Sequence, residues 1–159
     1  MDAGTIRILF QKSPRNIWEK LINLWTRGPY FHTAILLPGK LLNDFDNELY
    51  ESLNSKGVHC ILNFIPLTVK YDIIELHPGT EAVEKMREFL KGELGCPYDW
   101  SGLFWSQILF IPRSHAHAWI CSELVAATLN VYYKMDDACK YSPNSLNRQV
   151  KKPSNMIAK

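Results

Sequence analysis

Three polar residues stand in apolar surroundings where their chemistry is worth asking about. Cys121, in the stretch Trp119-Ile120-Cys121-Ser122-Glu123-Leu124-Val125, sits where an apolar run meets the expected start of a helix. There, unpaired backbone N–H groups and the positive end of the helix dipole stabilise a thiolate, the reactive form of the side chain. His32 lies in Phe31-His32-Thr33-Ala34-Ile35-Leu36-Leu37, where period-two alternation leaves both faces apolar. Glu51 lies in Leu49-Tyr50-Glu51-Ser52-Leu53 and shares its face with two leucines, so its carboxylate needs a partner. If these two strands pair, the carboxylate accepts the imidazole N–H, fixes its tautomer and stabilises an imidazolium. A strand histidine, a carboxylate on the next strand and a cysteine at a helix start are the parts of a thiol acyl-transfer site. Each residue alone also has a plainer reading. Cys121 can be a small buried hydrophobe, His32 a hydrogen-bonded core histidine, and Glu51 a strand-end carboxylate near solvent.

The elements that must position these residues follow from periodicity. Strands are expected over residues 6–10, 30–37, 49–53, 58–64 and 71–76, with a turn at 54–57 between the third and fourth. Residues 16–25 carry Ile17, Trp18, Leu21, Ile22 and Trp25 at helical spacing, ended by Arg27-Gly28-Pro29. A polar stretch covers residues 43–48. Thr80 is the expected N-cap of a second helix, with Val83, Met86, Leu90 and Leu94 on one face. Asp99 can cap a helix over residues 100–110. Residues 121–133 form another, with Leu124, Val125, Thr128, Leu129 and Tyr132 on its inward stripe, and a last helix covers 143–150. Strands come early and helices late, which predicts an α+β fold with an antiparallel sheet against a helical layer.

The chain's 159 residues fit one domain spanning residues 1–159, long enough to bury roughly two-thirds of its unfolded surface. Its hydrophobic share of 47% and charged share of 21% are ordinary for a globular protein, and five tryptophans predict a core or groove rich in large rings. The net charge of +2 offers no broad footprint for nucleic acid, so none is expected as a partner. Only a C-terminal tail, about residues 148–159, is locally basic, and a solvated tail is expected. The four cysteines, Cys60, Cys96, Cys121 and Cys139, lack CxxC pairing and metal-ligand spacing. The N-terminal residues lack the basic and apolar regions of a signal peptide, and no apolar run approaches the roughly eighteen residues of a membrane span. A cytoplasmic location with reduced thiols is the expectation.

Four blocks, taken in order, resemble a known family. Gly28-Pro29-Tyr30-Phe31-His32-Thr33-Ala34-Ile35-Leu36-Leu37 looks like the histidine strand of the circularly permuted papain-like amidases, the permuted branch of the NlpC-type hydrolases that includes the YiiX-like proteins. Leu49-Tyr50-Glu51-Ser52-Leu53 with Lys56-Gly57-Val58 resembles their acidic strand and its turn. Leu94-Gly95-Cys96-Pro97-Tyr98-Asp99 resembles the segment before their last active-site helix. Trp119-Ile120-Cys121-Ser122-Glu123-Leu124-Val125 resembles their cysteine signature. The resemblance spans residues 30–129. It implies a permuted papain-like fold whose antiparallel sheet forms a partial barrel against helices.

The resemblance also implies roles. Cys121 is then the nucleophile, His32 the general base and later acid, and Glu51 the residue orienting the imidazole. Tyr98 matches a tyrosine near the thiolate, whose hydroxyl helps bind the substrate carbonyl or oxyanion. The expected activity is a cysteine hydrolase, amidase- or peptidase-like, acting on a peptide-like or acylated small substrate without cofactor or metal. The alternatives are a lipid acyltransferase or phospholipase of the lecithin retinol acyltransferase type, and an inactive binding protein on the same fold. The acyltransferase group carries Asn before its cysteine, where this chain has Ile120. Secreted members carry a signal peptide, so its lack here suits a phage, viral or host-acting protein made in the cytoplasm. The aromatic segment 104–118 is expected to wall the substrate groove. Its His115 and His117 are candidate partners of Cys121 on a metal, but no fourth ligand is spaced nearby and none is expected. Contact with lipid fits the apolar rings; the oligomeric state is not legible.

Overall fold

A computed structural model describes residues 2–12, 14, 20, 24, 28–39, 46–103, 105, 118–152, 154 and 156–159 of the chain. Its strands are β1 (Ile6–Gln11), β2 (His32–Pro38), β3 (Asn47–Leu53), β4 (Gly57–Leu62) and β5 (Tyr71–Leu76). They pair throughout as antiparallel neighbours in the order β4-β3-β2-β1-β5. The first four follow one another in space as in sequence, and β5 returns to the far side of β1. Among the described residues the sheet is open, with β4 and β5 at its edges. Three helices of eight residues or more accompany it among the described residues: α1 (Thr80–Gly92), α2 (Cys121–Leu129) and α3 (Pro143–Val150). The α+β class with an antiparallel sheet packed against helices is therefore what the strand and helix patterning predicts.

Alternation decides which side chains meet. Ile6, Ile8 and Phe10 of β1, Ile35 and Leu37 of β2 and Tyr50 of β3 face the helices. There they pack with Val83, Met86 and Leu90 of α1, Leu124, Val125 and Leu129 of α2, and Leu146 and Val150 of α3. The intervening Leu9, Ala34, Leu36 and Leu49 form a second buried cluster on the opposite face, with Phe64, Tyr71 and Ile73 against it. That β2 is apolar on both faces follows directly. α1 is fastened to the sheet by buried Arg87, which donates to Glu48 of β3 at 2.9 Å and also bonds Glu84 and the Pro38 carbonyl.

Several boundaries differ from expectation, each for a local reason. Gly79, not Thr80, is the N-cap of α1; its φ of 92° suits glycine, and no side chain caps the helix. Leu94 falls beyond the end of α1 and is exposed, unlike Val83, Met86 and Leu90. α2 stops at Leu129 rather than continuing to Tyr133. The N–H groups of residues 131–133 turn back onto Thr128 and Leu129, and the chain then meets its C-terminal residues: the Lys134 N–H donates to the Ile157 carbonyl at 2.8 Å and the Lys159 N–H to the Tyr132 carbonyl at 2.9 Å. The basic tail is thus partly tied down, although Lys151 and Lys152 are exposed. β2 begins at His32 and extends to Pro38, β3 begins at Asn47, and β4 ends at Leu62. Most of the expected helix at 16–25 and of segment 104–118, and residues 43–45 of the polar stretch 43–48, lie outside the described residues. Among those described, no helix is long and apolar enough to cross a membrane.

Candidate active site

The antiparallel register carries His32, at the start of β2, to the end of β3 where Glu51 lies. The imidazole Nε2 donates to Glu51 Oε2 at 2.7 Å, with both side chains largely buried. Cys121 lies close enough for its charge to act on the same imidazole, and with Nε2 committed to Glu51, Nδ1 is the nitrogen available to it. The three candidate residues are therefore together, with the histidine between carboxylate and cysteine. Burial works against a charged His32. The charge and hydrogen bond of Cys121, then those of Glu51, outweigh it and push the imidazole pKa up to about 10. Burial likewise works against an ionised Glu51. The His32 hydrogen bond and charge, with His59 and Lys56, hold its carboxyl below the usual range.

Cys121 is the first residue of α2. Ile120 before it is extended, with φ −81° and ψ 154°, and makes no side-chain cap hydrogen bond. The contact runs the other way: Glu123, at the third helical position, accepts the Ile120 N–H at 3.3 Å. The segment entering the helix is held from two sides. Ser52 of β3, the neighbour of Glu51, donates through its hydroxyl to the Trp119 carbonyl at 2.7 Å. Trp119 also forms a parallel bridge with Tyr98, its N–H donates to the Pro97 carbonyl at 3.1 Å, and its indole donates to Glu93 at 2.7 Å. One strand end thus sets both the histidine's partner and the approach to the cysteine.

The same bridge brings Tyr98 to the site. Its phenol pKa is raised well above the usual value, by burial first and then by the charges of Cys121, Glu123 and Asp99. It is therefore a neutral hydroxyl within electrostatic reach of Cys121. Asp99, beside it, is buried and caps the helical turn Trp100–Gly102 by accepting the Gly102 N–H at 2.7 Å.

Two neighbours escaped the sequence reading. His59 of β4 stands directly opposite Glu51 in the ladder, with Nε2 3.4 Å from Glu51 Oε1 and Nδ1 3.3 Å from the Gly57 carbonyl. The first contact is close enough for electrostatic attraction but is not a hydrogen bond, and the buried Nε2 has no hydrogen-bond partner. Its signal was the pairing expected across the 54–57 turn, which sets Glu51 against His59. Glu123 was read only as part of a signature, yet it is almost completely buried. All four cysteines are free. Among the described residues no cluster has the makings of a metal site, and His115 and His117 lie outside those residues. No family model and no curated protein sequence matches the chain.

Proposed function

We propose that the protein is a cysteine hydrolase acting by acyl transfer on an amide, ester or thioester of a peptide-like or acylated small substrate. The observation that carries this reading is the placement of His32, hydrogen-bonded to Glu51 and within electrostatic reach of the cysteine that opens α2. In the proposed reaction the Cys121 sulfur attacks the substrate carbonyl carbon. His32 gives its proton to the leaving group as the carbon–heteroatom bond breaks, leaving a thioester on Cys121. A water then attacks the thioester and loses its proton to His32, so the acid departs and the thiol–imidazole pair is restored. Glu51 holds the imidazole in one orientation throughout. Tyr98 and the backbone N–H of Cys121 are the proposed donors to the oxyanion. The order histidine, carboxylate, cysteine along the chain also supports the proposed kinship with permuted papain-like amidases.

The test is iodoacetamide alkylation of each cysteine as a function of pH, mapped by mass spectrometry in wild type and His32→Ala. Cys121 alone is expected to react well below pH 8, and the His32→Ala variant to lose at least about tenfold at pH 6.5. Alkylation of Cys121 that is indifferent to His32 overturns the reading. A screen of amides and acyl esters, with trapping of the thioester by mass, then identifies the substrate class.

A further inference from the structure

Glu123 is the least expected group near the nucleophile. Only 1% of its surface is exposed, and its two carboxyl oxygens have different surroundings. Oε2 accepts the N–H of Ile120, the residue immediately before Cys121, at 3.3 Å. Oε1 is buried with no hydrogen-bond partner at all. An ionised carboxylate with a buried, unsolvated oxygen is costly, and removing its charge is the usual escape.

The neighbouring charges point the same way. Asp99 accepts the Gly102 N–H at 2.7 Å and the Ser101 hydroxyl at 3.2 Å, whereas Oε1 of Glu123 accepts no hydrogen bond. Glu123 is thus the member of this carboxyl pair better suited to hold a proton. Tyr98 faces it from the segment before Trp100, Cys139 from the 3-10 turn Ala138–Lys140, and Cys121 lies on its own helix with His32 beyond.

We propose that Glu123 is a positioning residue for Cys121: as a neutral carboxylic acid it holds the Ile120 peptide through Oε2, and its ionisation turns the nucleophile down. This deepens the hydrolase reading and rests on it. Burial, and then the charge of Asp99, push the Glu123 carboxyl up to about 7, with the Ile120 N–H acting against them. Below that pH the nucleophile has one charged partner, the His32 imidazolium. Above it, the proton on Glu123 passes to solvent and a second negative charge appears in the same first helical turn. That charge disfavours the Cys121 thiolate.

The experiment compares full-length wild type, Glu123→Gln and Glu123→Ala. Two quantities are measured from pH 5 to 9: the alkylation rate of Cys121 and the thermal midpoint. In wild type the alkylation rate is expected to turn over near pH 7. Glu123→Ala has no acceptor for the Ile120 N–H and should lose at least tenfold at pH 5 to 6, where wild-type Glu123 is neutral. Glu123→Gln keeps an acceptor, so it should recover most of that loss and show no turnover. A turnover that persists in Glu123→Gln, or a Glu123→Ala variant that alkylates like wild type, overturns the proposal. The thermal midpoint reads the proton on Glu123 without relying on Cys121. Because the folded carboxyl titrates above its ordinary value, wild-type stability should fall as pH rises from about 4.5 through 7. Glu123→Gln should therefore gain on wild type at pH 8 relative to pH 5, and a difference that is flat with pH also overturns the proposal. If Cys121 is inert and indifferent to His32, the hydrolase reading fails and the positioning role fails with it. A pH-dependent melting difference would then show only that Glu123 is a buried, protonated carboxyl.

Discussion

At the scale of single residues, the site depends on how a carboxylate, an imidazole and a thiol share charge in a region that excludes water. Glu51 uses its charge to keep His32 protonated, and it is itself kept ionised by the histidine and by His59 and Lys56. A neutral amide at position 51 would retain an acceptor oxygen but lose that charge, and it could also present its NH2 to the ring. Glu51→Gln is therefore expected to lower the Cys121 alkylation rate at pH 6.5 by about tenfold or more, a loss of the kind seen when a triad carboxylate is neutralised. The sign with pH follows from the same interaction. His32 is raised above its ordinary value, so its imidazolium stabilises the folded state below about 6.5 and loses that effect as pH rises through the folded value near 10. In Glu51→Gln the upper end of this window should move down, which a pH series of alkylation rates and melts would register. An unchanged window would mean that Cys121 alone holds the imidazole protonated.

Among the elements, the turn between β3 and β4 has the most leverage on the site. Gly57 has a φ of +66°, and a Cβ there would lie 2.2 Å from the Cys96 carbonyl oxygen. Its strand is also sewn to the segment after α1: the Val58 N–H donates to the Cys96 carbonyl at 2.8 Å and the Gly95 N–H to the Val58 carbonyl at 2.9 Å. Gly57→Ala combines left-handed backbone strain with a backbone clash, so a loss of about 2 kcal/mol or more in urea unfolding is expected. Since this turn also sets His59 opposite Glu51, the variant should alkylate more slowly at Cys121 even where it remains folded. A variant as stable as wild type would show that the turn relaxes without disturbing either strand.

For the molecule as a whole, the entry to the histidine strand is fixed by a residue far away in sequence. Asn144, at the start of α3, accepts the Tyr30 N–H at 3.1 Å and donates to the Tyr30 carbonyl at 2.7 Å. Its side-chain amide thereby acts as one more strand beside the backbone leading into His32. The Tyr30 hydroxyl meanwhile bonds Asp72 of β5, the far edge of the sheet. Asn144→Ala leaves two buried backbone groups without partners and is expected to cost about 2–3 kcal/mol. It should also weaken Cys121 alkylation without altering any side chain of the site. Retained reactivity together with the stability loss would show that His32 is held by its strand pairing alone.

What could be read from the chain was whatever rests on local pattern. Alternation located the strands and both apolar faces of β2, helical spacing marked α1 and α2, and the conflict of polar residues with apolar surroundings singled out Cys121, His32 and Glu51. Boundaries were less legible where distant partners enter, as at the end of α2, beyond which the Tyr132 carbonyl and the Lys134 N–H bond residues 157–159. Tertiary structure alone decided that Nε2 of His32 belongs to Glu51 and that Glu123 is buried with one oxygen orphaned. The physical reason is that a sequence pattern reports the face on which a side chain lies. Hydrogen-bond pairing, burial and the resulting proton affinities depend on which other faces are brought against it, and those come from remote parts of the chain.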